Sequence, residues 1–247
     1  MKTVDSSIIR EVYRERKKWS KKGDFGRLLI IGGSKTYTGA PALAGLAALA
    51  ALRSGVDLVT IAAPERPADV IARMSPNLIT QPFRGDFFTP RHLKEIMKLS
   101  KKFDAISIGS GMGLEKETSK FVLKYIGKTS KPCVIDADAI KVLGNKRLGS
   151  NFVLTPHEYE FYSMTNEKPK QSITERSNLV KKVASKINST ILLKGAMDII
   201  SDGRNVAINR TGNPYMTTGG TGDVLTGICG SLLAQKTDPY KAACASA

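Results

Sequence analysis

Residues 209–227, NRTGNPYMTTGGTGDVLTG, hold five glycines and a single acid, Asp223. Gly219, Gly220, Thr221 and Gly222 carry no bulky side chain, so their backbone N–H groups can converge on one anion. Glycine also permits the left-handed conformations that such a concave nest needs. The apolar segment VLTGICGSLLA that follows predicts a helix with the glycines at its N-terminus. There the unpaired N–H groups and the helix dipole favour a phosphate. Asp223 then falls in the first turn, beside that anion. A carboxylate weakens simple phosphate binding, but it suits proton removal from a hydroxyl offered to the phosphate. This makes residues 219–222 a candidate anion hole and Asp223 a candidate base. The competing reading is a plain glycine turn with an acid opening a helix.

Other reactive residue types cluster after apolar runs. In ILLKGAMD, Lys194 is placed to meet a phosphate and Gly195 to let a nucleotide lie against the backbone; alternatively the lysine only closes a strand. LTPHEYEF brings Thr155, His157 and Glu158 together. His157 follows a proline at a strand-to-helix turn, a poor place for a core residue, so it is a candidate ligand contact. His92, in TPRHLKEI, is expected at the surface. Asp136 and Asp138 in VIDADAI could orient a metal-bound water or cap the helix starting at Ala139. GSGMG at 109–113 lacks the full dinucleotide fingerprint and reads as a glycine turn lining a cleft. The segment GGSKTYTGAPALAGLAALAALRSG joins a flexible loop to a helix of small residues, which another backbone or a flat ligand can approach closely.

The elements that must position these residues follow from apolar patterning. Runs at 27–33, 57–64, 103–111, 131–138, 151–158 and 190–196 predict buried strands, each with Gly, Asp or Pro at or near its end. Helices are expected over 40–53, 91–101, 115–127, 173–187 and 221–235, with a hairpin turning at Asp202-Gly203. Alternation of this kind predicts an α/β fold, a mainly parallel sheet with helices on both faces, and ligands at the carboxyl ends of its strands. With 247 residues, 41% of them hydrophobic, and no linker or repeat, one domain over 1–247 is expected. Residues 1–23 form a basic, helical N-terminal extension in this reading. The three cysteines are scattered and lack metal-ligand spacing; with no signal segment, the expectation is a reduced, cytoplasmic protein without a membrane span. The net charge of +16 is dispersed. No nucleic-acid-binding motif accompanies it, so it fits an anionic small substrate better than nucleic acid. A basic binding module without chemistry is the reading from a different class.

In order, GGSKTYTGAPALA, IGSGMGLEKET, VIDADAI, LTPHEYEF, LLKGAMD and GNPYMTTGGTGDVLTG resemble the ADP- or ATP-dependent (S)-NAD(P)H-hydrate dehydratases. The resemblance runs from about residue 24 to the end and implies a three-layer, ribokinase-like fold. It also implies removal of water from the (S)-hydrate of NADH or NADPH by phosphorylation of its hydroxyl and loss of phosphate, with Mg2+ on the ADP or ATP. By the same resemblance, Ala40, Gly111, His157 and Asp223 contact the hydrate. Lys194, Gly195, Ala196, Met197, Asp198 and Gly222 hold the nucleotide, and Asp223 is the base. It implies a homotetramer and functional partnership with an NAD(P)H-hydrate epimerase. Asp198, Tyr215 and Asn77 depart from the family pattern, and DPYKAACASA stops earlier than the family's length implies, so a truncated C-terminus is expected. A small-molecule kinase of the same fold, acting on a vitamin-precursor alcohol, is the alternative.

Overall fold

A computed structural model describes residues 2–13, 15–35 and 40–247, with Ala40, Pro41, Ala42 and Ala44 described by backbone alone. Period-two alternation governs the central strands. In β2 (Arg27–Ile31), Leu29 and Ile31 enter one apolar cluster while Leu28 and Ile30 enter another on the opposite face. The same division separates Ile106 and Ile108 from Ala105 in β5 (Ala105–Ile108). It also separates Cys133 and Ile135 from Val134 in β6 (Cys133–Ile135). A strand that is apolar on both sides must be covered on both sides, which is why these runs look continuous in sequence.

Among the described residues, ten strands form one sheet in the order β1-β10-β9-β8-β7-β6-β5-β2-β3-β4. The remaining strands are β1 (Lys2–Thr3), β3 (Leu58–Pro64), β4 (Ile79–Phe83), β7 (Phe152–Leu154), β8 (Thr190–Leu193), β9 (Asp198–Ser201) and β10 (Val206–Asn209). Pairing is parallel except where β9 runs against β8 and β10. The β9–β10 hairpin turns at Asp202-Gly203, as the sequence predicts. One face is covered by α1 (Ser6–Val12), α2 (Ala40–Arg53), α3 (Glu65–Ala72), α9 (Thr221–Ala234) and α10 (Pro239–Ser246). The other carries α4 (Leu93–Ser100), α5 (Lys116–Ile126), α6 (Asp138–Leu143), α7 (Glu158–Thr165) and α8 (Ile173–Ile187).

All six expected strands form, each shorter than its run, because the runs include loop residues at one or both ends of the ladder. Edge strand β4 was not expected: its sequence, ITQPF, holds a proline and two polar residues, which only an edge position tolerates. The N-terminal extension is less helical than expected. Among the described residues of the extension, helix covers Ser6–Val12, and the basic stretch 15–22 is irregular with short turns, Arg16 pairing with Asp57 and lying over the Phe25 ring. His92 is also a correction: it is half-buried rather than a surface residue. Its Nδ1 accepts from Thr89 N–H, its Nε2 donates to the Arg84 carbonyl, and its ring stands edge-on to Phe83 and Phe88.

Candidate active site

Strands β5, β6, β7 and β8 deliver their C-terminal loops to one end of the sheet, where the N-terminus of α9 meets them. Close approach begins at Gly109, whose φ is +133° and where a Cβ would lie 1.8 Å from the Asp136 carbonyl oxygen. Only glycine lets the loops after β5 and β6 touch in this way. Asp136 and Asp138 then diverge. Between them Ala137 sits at φ 49°, ψ −125°, a region that side chains avoid. Asp138 opens α6 and accepts from Gly113 N–H at 2.9 Å, so it pins the GSGMG turn that contains Gly111. Asp136 turns inward. Its Oδ1 lies 3.1 Å from Lys194 Nζ and its Oδ2 accepts from the Thr226 hydroxyl at 2.8 Å. Neither carboxylate caps α6, whose N-cap is Ala137 without a side-chain hydrogen bond; Asp138 holds the Gly113 turn instead, and Asp136 is the counter-ion of a lysine.

Lys194 is nearly buried. Burial opposes its charge, but the carboxylates of Asp136, Glu160 and Asp223 outweigh that cost and raise its pKa, so it is an ammonium at neutral pH. Its backbone N–H donates to the Pro156 carbonyl at 2.8 Å, tying the end of β8 to the TPHE turn. The following loop, Gly195 to Met197, is exposed. Asp198 shapes it from within, accepting from Gly195 N–H and from Asn209 Nδ2, both at 3.0 Å. From α8, Arg176 pairs with Glu158 and reaches the Lys194 carbonyl at 3.4 Å.

Gly220, with φ at +99°, caps α9. The preceding turn is held by Asn213, which accepts from Tyr215 N–H, and by the Thr221 hydroxyl, which reaches the Met216 and Thr218 carbonyls. The first N–H groups of α9 have no acceptor within the helix and point outward from its start. Asp223, in that first turn, is 9% exposed. Burial raises its pKa, and the charge of Asp136 adds to the effect. The neighbouring Ser110 hydroxyl, which has no well-aligned hydrogen-bond partner, works the other way, as do Lys194 and the Asp223 amide. The result is a carboxylate more basic than usual, beside the first N–H groups of α9 and an ammonium. This arrangement can take a proton from a hydroxyl while an oxyanion or phosphoryl group is held next to it.

His157 caps α7 in a reciprocal box with Glu160. Its Nδ1 accepts from Glu160 N–H at 3.2 Å, and Glu160 accepts from His157 N–H at 2.9 Å. The ring is half-exposed at the rim, with Nε2 3.4 Å from Glu160 Oε1. Its fixed orientation therefore has a structural cause, whatever it touches. Tyr215 is 91% exposed. Ala40 opens α2, but its side chain and the TYTG segment before it, residues 36–39, lie outside the described residues.

Sequence reasoning missed Thr226, Arg176 and Glu160. Thr226 sits in an apolar helix with nothing nearby to mark it, and Arg176 is one of many basic residues on a helix. Glu160 could have been found from the spacing His-x-x-Glu at a helix start, which is that of a capping box.

Comparison with known proteins fits this geometry. The family model described as NAD(P)H-hydrate dehydratase matches residues 28–247. The chain belongs to the NAD(P)H-hydrate dehydratase family. It is 44% identical over 230 residues to the bifunctional NAD(P)H-hydrate repair enzyme Nnr of Pyrobaculum aerophilum, covering 92% of this chain and 45% of that protein. The chain thus spans under half the length of such bifunctional relatives. It is 36% identical to the ADP-dependent (S)-NAD(P)H-hydrate dehydratase of Nitrosopumilus maritimus, covering 100% of this chain and 86% of that one. Among solved structures, the ADP/ATP-dependent NAD(P)H-hydrate dehydratase of Bacillus subtilis, co-crystallized with ATP/Mg2+, superposes with a TM-score of 0.83 at 27% identity. That superposition covers 99% of this chain and 85% of the other. The expected three-layer, ribokinase-like architecture is the one present.

Proposed function

We propose that residues 1–247 act as one dehydratase domain, restoring NADH or NADPH from its (S)-hydrate at the expense of ADP or ATP. The observation that carries this reading is the buried, unusually basic Asp223 in the first turn of α9, beside the glycine loop and the Lys194 ammonium. Asp223 takes the proton of the hydrate hydroxyl, and the freed oxygen attacks the terminal phosphoryl, releasing AMP from ADP or ADP from ATP. The N–H groups of residues 219–222 hold the developing negative charge. Phosphorylation turns a poor leaving group into a good one. The ring-nitrogen electron pair then expels phosphate, and loss of a ring proton restores the reduced nicotinamide.

The loop from Lys194 to Asp198, with Gly222, is the proposed nucleotide platform; Gly111, His157 and Ala40 are the proposed hydrate contacts. The Bacillus subtilis relative was crystallized with ATP/Mg2+. Among the described residues no group of three or more His, Cys, Asp or Glu side chains could cage a metal. That donor set fits a magnesium ion held mainly by nucleotide phosphates and water, the phosphates being bound by Lys194 and the glycine-loop amides. Its contribution when bound is to neutralise phosphate charge. A homotetramer, work beside an NAD(P)H-hydrate epimerase and a cytoplasmic setting complete the proposal. Of the helices described, none is long and apolar enough to cross a membrane.

The test is incubation with (S)-NADH-hydrate and ADP or ATP, following the return of reduced-nicotinamide absorbance together with phosphate release. A stable phosphorylated alcohol formed from another substrate, with no such return, would move the assignment to a small-molecule kinase.

A further inference from the structure

Three charged side chains meet beneath the glycine loop, and they share their bonds unequally. Both oxygens of the buried Asp136 are engaged, one by Lys194 and one by Thr226. Asp223 feels the same ammonium, yet the ion pair of Lys194 is with Asp136. Gly222 supplies the room for this arrangement. A Cβ there would stand 3.3 Å from Lys194 Nζ and 3.8 Å from Asp136 Oδ2, so the ammonium reaches up against the backbone of the anion nest.

We propose that Asp136 is a positioning residue: anchored by Thr226, it keeps the Lys194 ammonium as its own partner and so leaves Asp223 free to accept a proton. The inference rests on Asp223 being the base. Its physical basis is competition for one cation. An aspartate in direct contact with an ammonium loses basicity, by about one to three pH units for close pairs, and is a poor base. Were Asp136 neutral, Lys194 would have Asp223 and Glu160 as its remaining carboxylates. Pairing with Asp223 would quench the base. Among the described residues, the groups facing Asp223 are Asp136 after β6, Lys194 after β8, the Ser110 hydroxyl after β5 and its own amide; α2 presents apolar Leu46 to the glycine loop.

The decisive measurement is the titration of the Asp223 carboxyl by carbon-13 NMR in aspartate-labelled protein, assigned with Asp223→Asn. In Asp136→Asn, where Asn can still accept from Thr226, the midpoint is expected to fall by about one pH unit. The acid limb of the turnover profile should move down with it, and kcat should fall. ADP should bind as tightly as to wild type or more tightly by calorimetry, since the site gains a positive charge. In Lys194→Met the midpoint should rise instead. A merely structural role predicts a lower Tm and weaker ADP binding with an unmoved midpoint, and that result overturns the proposal. Should Asp136→Asn not fold, the Lys194→Met titration decides alone, a static midpoint again being the negative result. Hydrate turnover by wild type is scored separately: its absence removes the dehydratase reading, whereas a static Asp223 removes the pairing.

Discussion

At the residue scale, the proposed role of Asp223 as a base and its energetic effect pull in opposite directions. Its raised pKa means that the folded state holds this proton more tightly than the unfolded state does. Its contribution to stability is therefore present at low pH and is lost as pH rises through the raised value. Above that value the ionised carboxylate costs stability. Asp223→Asn should accordingly cut turnover at least ~100-fold, the usual worth of a positioned base, while raising Tm. A rise of about 2–4 °C corresponds to about 1 kcal/mol in a domain of this size. The stabilisation should shrink as pH drops below the carboxylate range, which melting curves across pH would show. Turnover by wild type should fail on acidification at a pH above that of an ordinary aspartate. A variant that is both active and no more stable would remove Asp223 from its proposed role.

At the element scale, two backbone features hold the charged cluster in place. Helix α9 lies so close to α2 that a Cβ on Gly227 would stand 2.0 Å from the Ala47 carbonyl oxygen. Gly227→Ala must push the two helices apart, and we expect a loss of at least ~2 kcal/mol, within the range for overpacked interiors, measured by urea unfolding. Because α9 also carries Asp223, turnover should fall more than the stability loss alone explains. The second feature is Ala137, whose conformation aims Asp136 at Lys194 and Asp138 at the Gly113 amide. Strain of this kind costs on the order of 1–3 kcal/mol. Ala137→Gly should relieve part of it and raise stability by roughly 1 kcal/mol after the entropy cost of glycine, with the ADP affinity unchanged. A destabilised variant would show that the backbone there is not strained.

At the scale of the whole molecule, the net charge of +16 acts through its field rather than through any one contact. Each proposed ligand carries several phosphate charges, so attraction to the protein should weaken as salt screens it over about 10 Å at 0.1 M. We expect KM for ADP or ATP to rise several-fold between low and high KCl with kcat little changed. A KM indifferent to salt would assign the charge to solvated surface alone. The same scale explains the limits of sequence reading. Strands β5 to β8 were legible because both of their faces are apolar. Edge strand β4 was not, because at an edge the pattern relaxes. The glycine loop and Asp223 were legible because they are contiguous. The ion pair between Asp136 and Lys194, and the hydrogen bond from Thr226, join residues from three distant segments and left no local signal.

The linear chain determined the alternation of elements, the glycine-rich start of α9 and the acid placed in its first turn. Each of these depends on neighbours within a few positions, where backbone geometry and side-chain type are enough to specify the outcome. Tertiary structure alone decided which carboxylate the buried ammonium pairs with, and hence which carboxylate is left basic. Electrostatic partnership depends on distance and burial, and both are set only when the sheet brings the ends of β6 and β8 beneath α9.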